Sequence, residues 1–181
     1  MSEMKNQPDG ELGAHPVSRS RSFMSELVFP SDVNPRGTLF GGILMQYIDK
    51  IAGIAAVRHC NRTVVTASTD SIDFLSPVSV GELLVLEAFV TWTHRSSMEV
   101  YCHVMAENLM TGEKRDTCTA FLTFVALDKD GRPTPVPRVY PETEEERKLH
   151  ESAPLRYAQR MERRQTRYRG SDPASTDLRQ Q

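Results

Sequence analysis

The run Asn34-Pro35-Arg36-Gly37-Thr38-Leu39-Phe40-Gly41-Gly42-Ile43-Leu44-Met45-Gln46-Tyr47-Ile48-Asp49 decides how this chain is read. A polar loop leads into a glycine pair, and the glycines open an apolar helical pattern with one carboxylate inside it. A helix that starts there leaves its first N–H groups without partners, aimed at whatever lies before them. Two turns on, Asp49 falls in register with Met45, Ala52, Gly53 and Ala56, where an acid is normally avoided. Free backbone donors beside a half-buried acid are the parts that polarise a carbonyl and drive water onto it.

The pattern continues in both directions. From Leu39 to about Arg58, Leu44, Ile48, Ile51 and Ala55 form one helical stripe, with Met45, Asp49, Ala52 and Ala56 beside it. The run of Gly and Ala lets another element approach closely, so this helix is expected at the centre of the fold. Upstream, Ser22 to Phe29 predicts a first strand, and Pro30 and Pro35 bracket the loop that follows. Downstream, four long strands are predicted: Thr63 to Leu75, Glu82 to Thr93, Ser97 to Glu107 and Arg115 to Asp128. In the third of these, Met98, Val100, Cys102, Val104 and Ala106 are expected to face inward, and Glu99, Tyr101, His103 and Glu107 outward. Three residues apart, Asp70 and Asp73 are expected on opposite faces, in structural roles.

A strand, a central helix and four antiparallel strands make an α+β order, one curled sheet with a helix on its concave face. The open edge of such a sheet needs cover, which points to an oligomer. Residues 1–20 are polar, with Pro8, Gly10, Gly13 and Pro16, and are predicted to be a disordered tail. Residues 21–140 hold the domain. Residues 141–181 read as a charged, exposed helix and a basic tail, which Pro154 should break or restart.

With 181 residues and 39% hydrophobic content, the chain can support one core, and its formal charge of −2 excludes whole-chain attraction to nucleic acid. The arginines beyond Ala153 read as a solvated helix face. No run of about 18 apolar residues suggests a membrane span, and nothing near the start resembles a signal peptide. Three unclustered cysteines, Cys60, Cys102 and Cys118, suit a reducing interior, so a cytoplasmic protein is expected. The histidines are scattered without metal-ligand spacing, so no metal is expected. The absence of a Gly-x-Ser-x-Gly elbow excludes a serine α/β-hydrolase.

Five segments, in order, resemble the acyl-CoA thioesterases of the hotdog-fold superfamily. They are similar in particular to the bacterial acyl-CoA hydrolases related to mammalian cytosolic ones. These are Asn34 to Gly42 with Asp49, Val65-Thr66-Ala67-Ser68-Thr69-Asp70, Phe74 to Glu82, Arg95-Ser96-Ser97-Met98-Glu99-Val100, and Phe124-Val125-Ala126-Leu127-Asp128. The resemblance implies a hotdog fold whose long helix is wrapped by the curled sheet. It also implies homodimers with joined sheets, commonly assembled as a trimer of dimers, a hexamer. The implied reaction is hydrolysis of a fatty acyl-CoA thioester to free acid and CoA, with CoA as part of the substrate and no separate cofactor. In such enzymes one protomer supplies the helix acid, here Asp49, as general base or nucleophile, and the other supplies the loop asparagine, here Asn34.

The residues themselves fit those roles. The Asn34 amide can hold the attacking water or the thioester oxygen. The N–H groups of Gly41 and Gly42 can accept that oxygen as charge develops on it, and glycine leaves room for close approach. Arg95, Ser96 and Ser97 form a turn whose cation and hydroxyls suit CoA phosphates. Arg58, Arg62 and the C-terminal arginines are further phosphate candidates. Met45, Ile48 and Ala52 are candidate lining for the acyl tail. Two other readings stay open: a hotdog hydratase or dehydratase, which would pair its acid with a histidine absent near Asp49, and a non-catalytic acyl-CoA sensor.

Overall fold

The first strand and the four long strands predicted from the sequence are all present in the computed structural model, which describes residues 12–169. In chain order its elements are β1 (Ala14–Pro16), β2 (Ser22–Leu27), α1 (Gly41–Cys60), β3 (Thr63–Phe74), β4 (Leu83–Thr93), β5 (Ser97–Glu107), β6 (Lys114–Leu127), β7 (Arg138–Tyr140) and α2 (Glu144–Arg169). The five long strands pair antiparallel in the order β2-β4-β5-β6-β3, leaving β2 and β3 at the edges. This is the α+β hotdog arrangement expected. No helix among the described residues is long and apolar enough to cross a membrane.

The core lies between α1 and one face of the sheet. Leu44, Ile48, Ile51, Ala52, Ala55 and Ala56 bury the helix against Leu84, Leu86 and Ala88 of β4, Val100, Cys102 and Val104 of β5, and Ala120, Leu122 and Phe124 of β6. Three fully buried alanines keep the backbone of α1 close to the strands, and Gly53 sits against the Phe124 ring. The helix ends at Asn61, which adopts φ 51° and returns its N–H to the Val57 carbonyl at 2.8 Å. Leu84, Leu86, Ala88 and Val90 of β4 alternate into the core. A register shift between Val90 and Trp92 then turns Trp92 out of the core.

Four expectations are corrected. Part of the presumed disordered tail is ordered: β1 pairs in parallel with β7, and Val17 beyond it is fully buried. Residues 1–11 lie outside the described residues. Second, α2 runs through Pro154 without a break. In the turn before it, Ser152 Oγ and Arg156 Nη2 both donate to the Leu149 carbonyl, which ties that turn together.

Third, α2 is docked rather than solvated. Ala153 is fully buried, and the helix covers the outer face of the sheet, where Glu99 is 2% exposed. Alternation correctly turned Glu99 away from the core but could not show a second layer there. Fourth, Asp70 and Asp73 share the outer face. Register shifts between Thr66 and Ser68 and between Thr69 and Ser71 add residues to β3 and turn Asp70 outward, while Asp73 stands opposite Thr119.

Beside the start of α1, Arg115 grips Glu82 through two bonds of 2.6 and 2.7 Å, and Ser79 N–H adds a third at 2.8 Å. Arg115 and that N–H hold the Glu82 carboxyl below the ordinary carboxylate pKa, against the opposing effect of burial. A carboxyl whose pKa falls on folding stabilises the fold above its unfolded pKa and loses that contribution as pH drops through the folded value. The melting temperature of the native chain is therefore expected to fall more steeply on acidification than that of Glu82→Gln. Parallel curves from thermal melts across the acid range would contradict this.

Candidate active site

The loop before α1 is fixed by its own bonds. Asn34 Oδ1 accepts the Arg36 N–H at 2.9 Å, Asn34 Nδ2 donates to Thr38 Oγ1 at 2.9 Å, and Gly37 takes φ 76°. Leu39 N–H donates to Val78 O and Phe40 N–H to Asp32 O, which sets the point where the helix begins. Phe40 caps α1 without a side-chain bond. Among the described residues no acceptor meets the N–H groups of Gly41 or Gly42, so both donors remain available. A Cβ at Gly42 would lie 2.8 Å from the Phe40 ring, which is itself exposed. Next to Gly41 opens an apolar cleft of about 290 Å³, walled by Leu39, Leu44, Phe74, Leu75 and Val78.

Asp49 is exposed in the single chain, contrary to the half-buried position expected. The helical stripe that carries it splits. Ala52 and Ala56 pack inward, whereas Met45 and Asp49 face outward, Asp49 against the open edge of β3. Val65 and Phe74 of that edge are exposed too. From it Thr66 Oγ1 donates to Asp49 Oδ1 at 2.7 Å. Sequence reading passed over Thr66, although it lies in one of the segments that carried the resemblance. Its partner 17 residues away is visible only once β3 is paired and its face known.

Asn34 and Asp49 share no hydrogen bond within the chain; the Asn34 amide is engaged in its own loop. Arg95, Ser96 and Ser97 lie farther still. They form the β4–β5 turn, beside β6 residues that pair with the start of β3, whereas Gly41 sits near Phe74 at the end of β3. The two groups therefore stand at opposite ends of a 20-residue helix, about 30 Å long. Arg95 opens onto a second cleft of about 610 Å³, with Trp92, His94, Arg138 and His150.

Other candidates have different work. Arg58 bonds Ser22 Oγ and the Arg21 carbonyl. Arg156 and Arg160 of α2 are paired with Glu99 and Asp70, so these C-terminal arginines are not free for phosphate. Ile48 and Ala52 are fully buried in the core rather than lining a channel. Burial pushes the Cys102 thiol up to about 12 and that of Cys118 to about 11, so neither is a nucleophile at neutral pH.

Residues 36–113 match the thioesterase superfamily. An uncharacterised acyl-CoA thioester hydrolase of Bacillus subtilis is 54% identical over 145 residues, covering 80% of this chain and 84% of its own. The chain belongs to the acyl-CoA thioester hydrolases of the thioesterase superfamily. Solved structures share most of its fold. A hexameric acyl-CoA thioesterase crystallised in its apo form superposes with a TM-score of 0.82 at 52% identity, over 83% of this chain and 97% of that one. An acyl-CoA hydrolase of Staphylococcus aureus, solved with butyryl-CoA, CoA and CoA disulfide, gives 0.83 at 40% identity, over 87% and 96%. Alanine variants of that enzyme at an Asp, a Thr and an Asn have the same fold.

Proposed function

We propose that this hydrolase cleaves acyl-CoA to free acid and CoA at a site completed by two protomers. Asp49 acts as general base or nucleophile, and the partner subunit's Asn34 holds the water or the thioester oxygen. The observation that carries this reading is the Thr66–Asp49 bond on an exposed face beside an open sheet edge. The hydroxyl fixes one carboxylate oxygen, while Oδ2 has no partner among the described residues and is free to take a proton from water.

With Asp49 as base, the water oxygen bonds to the thioester carbon, and the carbonyl oxygen gains negative charge within reach of Gly41 and Gly42 N–H. The C–S bond then breaks and the CoA thiolate leaves, to be protonated. With Asp49 as nucleophile, the same donors serve an acyl-enzyme step followed by water. No cofactor is required, because CoA enters as part of the substrate.

Two further observations support the reading. The Asn, Asp and Thr exchanged in the S. aureus enzyme have the same sequence spacing as Asn34, Asp49 and Thr66. The apolar side chains left exposed on α1 and β3 suit burial by a second copy whose β3 extends the sheet. Such a dimer brings Asn34 of one chain towards Asp49 of the other, and Arg95, Ser96 and Ser97 can meet the CoA phosphates from a different protomer. We place three such dimers in a hexamer, by likeness to the hexameric relative. Thiol release across acetyl-, butyryl-, octanoyl- and palmitoyl-CoA, with Asp49→Asn as control, tests the activity. Hydration of crotonyl-CoA without thiol release would identify a hydratase instead.

A further inference from the structure

We propose that the C-terminal helix is a positioning element for catalysis: Arg160 of α2, through its buried ion pair with Asp70, holds the bulged path of β3 that presents Thr66 to Asp49. The inference rests on the reading of Asp49 as the catalytic acid.

Within one chain β3 is an edge strand, bonded to β6 alone. Within a few residues it carries two register shifts, one after Thr66 and one after Thr69. In the proposed dimer a partner strand can pair along that edge, but strand pairing alone does not choose where extra residues are inserted, so side chains must hold the two bulges in place. The Asp70 carboxylate supplies the fixing. Its Oδ2 accepts from Arg160 Nη1 at 2.8 Å and from Thr123 Oγ1 of β6 at 2.8 Å. Its Oδ1 accepts from Ser68 Oγ at 2.9 Å, and Ser68 lies between the two shifts. Arg163 donates to the Asp70 carbonyl at 3.1 Å and approaches Oδ1 at 3.4 Å.

The ion pair is closed to solvent, with side chains 6% exposed for Arg160 and 5% for Asp70. A charge pair so deeply placed gives little net stability compared with an apolar substitute, which directs attention to what it orders rather than how tightly it binds. What it orders is two residues from the first shift, where Thr66 bonds Asp49 at 2.7 Å. The line Arg160–Asp70–Ser68–Thr66–Asp49 thus runs from α2 through the edge strand to the exposed carboxylate. Arg160 and Asp70 touch neither substrate nor reacting atoms in this account; they are positioning residues.

Small displacements of a catalytic group cost large factors in rate, about 10²-fold for roughly 1 Å. Arg160→Met is therefore expected to lower kcat by about 10- to 100-fold with KM for acyl-CoA within about two-fold, and Arg160→Lys to recover most of the loss. The decisive comparison is a cycle with Thr66→Val in the full-length oligomer. If Arg160 acts through Thr66, the double variant is no slower than Thr66→Val alone. A kcat for Arg160→Met equal to the native value, with a lowered melting temperature, would reduce the pair to a stabilising contact and overturn the proposal. Losses that multiply in the double variant would overturn it as well. Should Arg160→Met fail to fold, Asp70→Asn/Arg160→Met removes both charges and is read by the same criteria. Asp49→Asn run alongside separates the two claims: turnover surviving in that variant strikes the catalytic assignment, whereas its loss beside an unaffected Arg160→Met strikes only the role of α2.

Discussion

Asp49→Asn is expected to lower kcat for acyl-CoA hydrolysis by about 10²- to 10⁴-fold, the contribution typical of a positioned acid–base group. Its melting temperature should stay at the native value. The two expectations have separate grounds. The rate falls because a carboxamide neither accepts a proton from water nor attacks a thioester carbon, whichever role the carboxylate plays. The fold survives because Asp49 is exposed in the chain, and substitutions away from buried features shift stability by about 0.5 kcal/mol or less. Asn keeps the size of the side chain and an oxygen that can still accept the Thr66 hydroxyl. Thiol release and thermal melts on the same preparation check both. Turnover near the native rate would remove Asp49 from the mechanism.

The second large effect is on stability. Glu99 stands on β5 beneath α2, where its Oε1 accepts from Arg156 Nη2 and Thr91 Oγ1, each at 2.7 Å, and its Oε2 accepts from Arg156 Nε at 3.0 Å. Both carboxylate oxygens are satisfied, and the side chain is 1% exposed. Arg156 also lies over the Phe121 ring, 4.1 Å from its centroid, and donates to Leu149 O in the turn before Pro154. Arg156→Ala removes the countercharge and leaves a carboxylate sealed under a helix, which costs about 3–5 kcal/mol. Against a total of about 5–15 kcal/mol for an ordinary domain, that is a large share. A chain of this length loses about 2–4 °C in melting temperature per kcal/mol, so a drop of roughly 6–20 °C is expected. Replacing both partners, as in Glu99→Gln/Arg156→Met, should restore most of it. A melt of Arg156→Ala within a degree or two of the native chain would show that Glu99 finds other partners or water.

The two pictures of Glu99 show where sequence reading reached and where it stopped. Alternation along β5 turned Glu99 away from the core and Met98 and Val100 into it, and that is observed. Periodicity describes one strand against one face, however, and is silent on whether a distant helix returns to cover the other. The charged composition of α2 looked like solvation, yet Arg156 and Arg160 are charged because their partners are buried carboxylates. The face of Asp70 was misread for a related reason: simple alternation has no term for an inserted residue, and β3 has two register shifts.

At the site, the glycine-opened helix and its acid were legible because they lie in one continuous stretch. Thr66 was not, because its bond to Asp49 depends on how β3 returns beside α1. The burial expected of Asp49 failed within one chain. A stripe of mixed apolar and polar residues at helical spacing does not distinguish a face packed on its own sheet from a face left open. In α1 the two lie side by side, Ala52 and Ala56 on one and Met45 and Asp49 on the other.

The central claim is that two chains complete each site, and subunit mixing tests it most directly. Asn34→Ala and Asp49→Asn are each expected to be inactive as homo-oligomers. Co-expressed or refolded together, they form mixed dimers in which one site combines the intact Asp49 of one chain with the intact Asn34 of its partner. With random pairing, hydrolysis should return to about one quarter of the native rate. Thiol release that stays at the level of the separate variants, in oligomers shown to have exchanged subunits, would contradict a shared site.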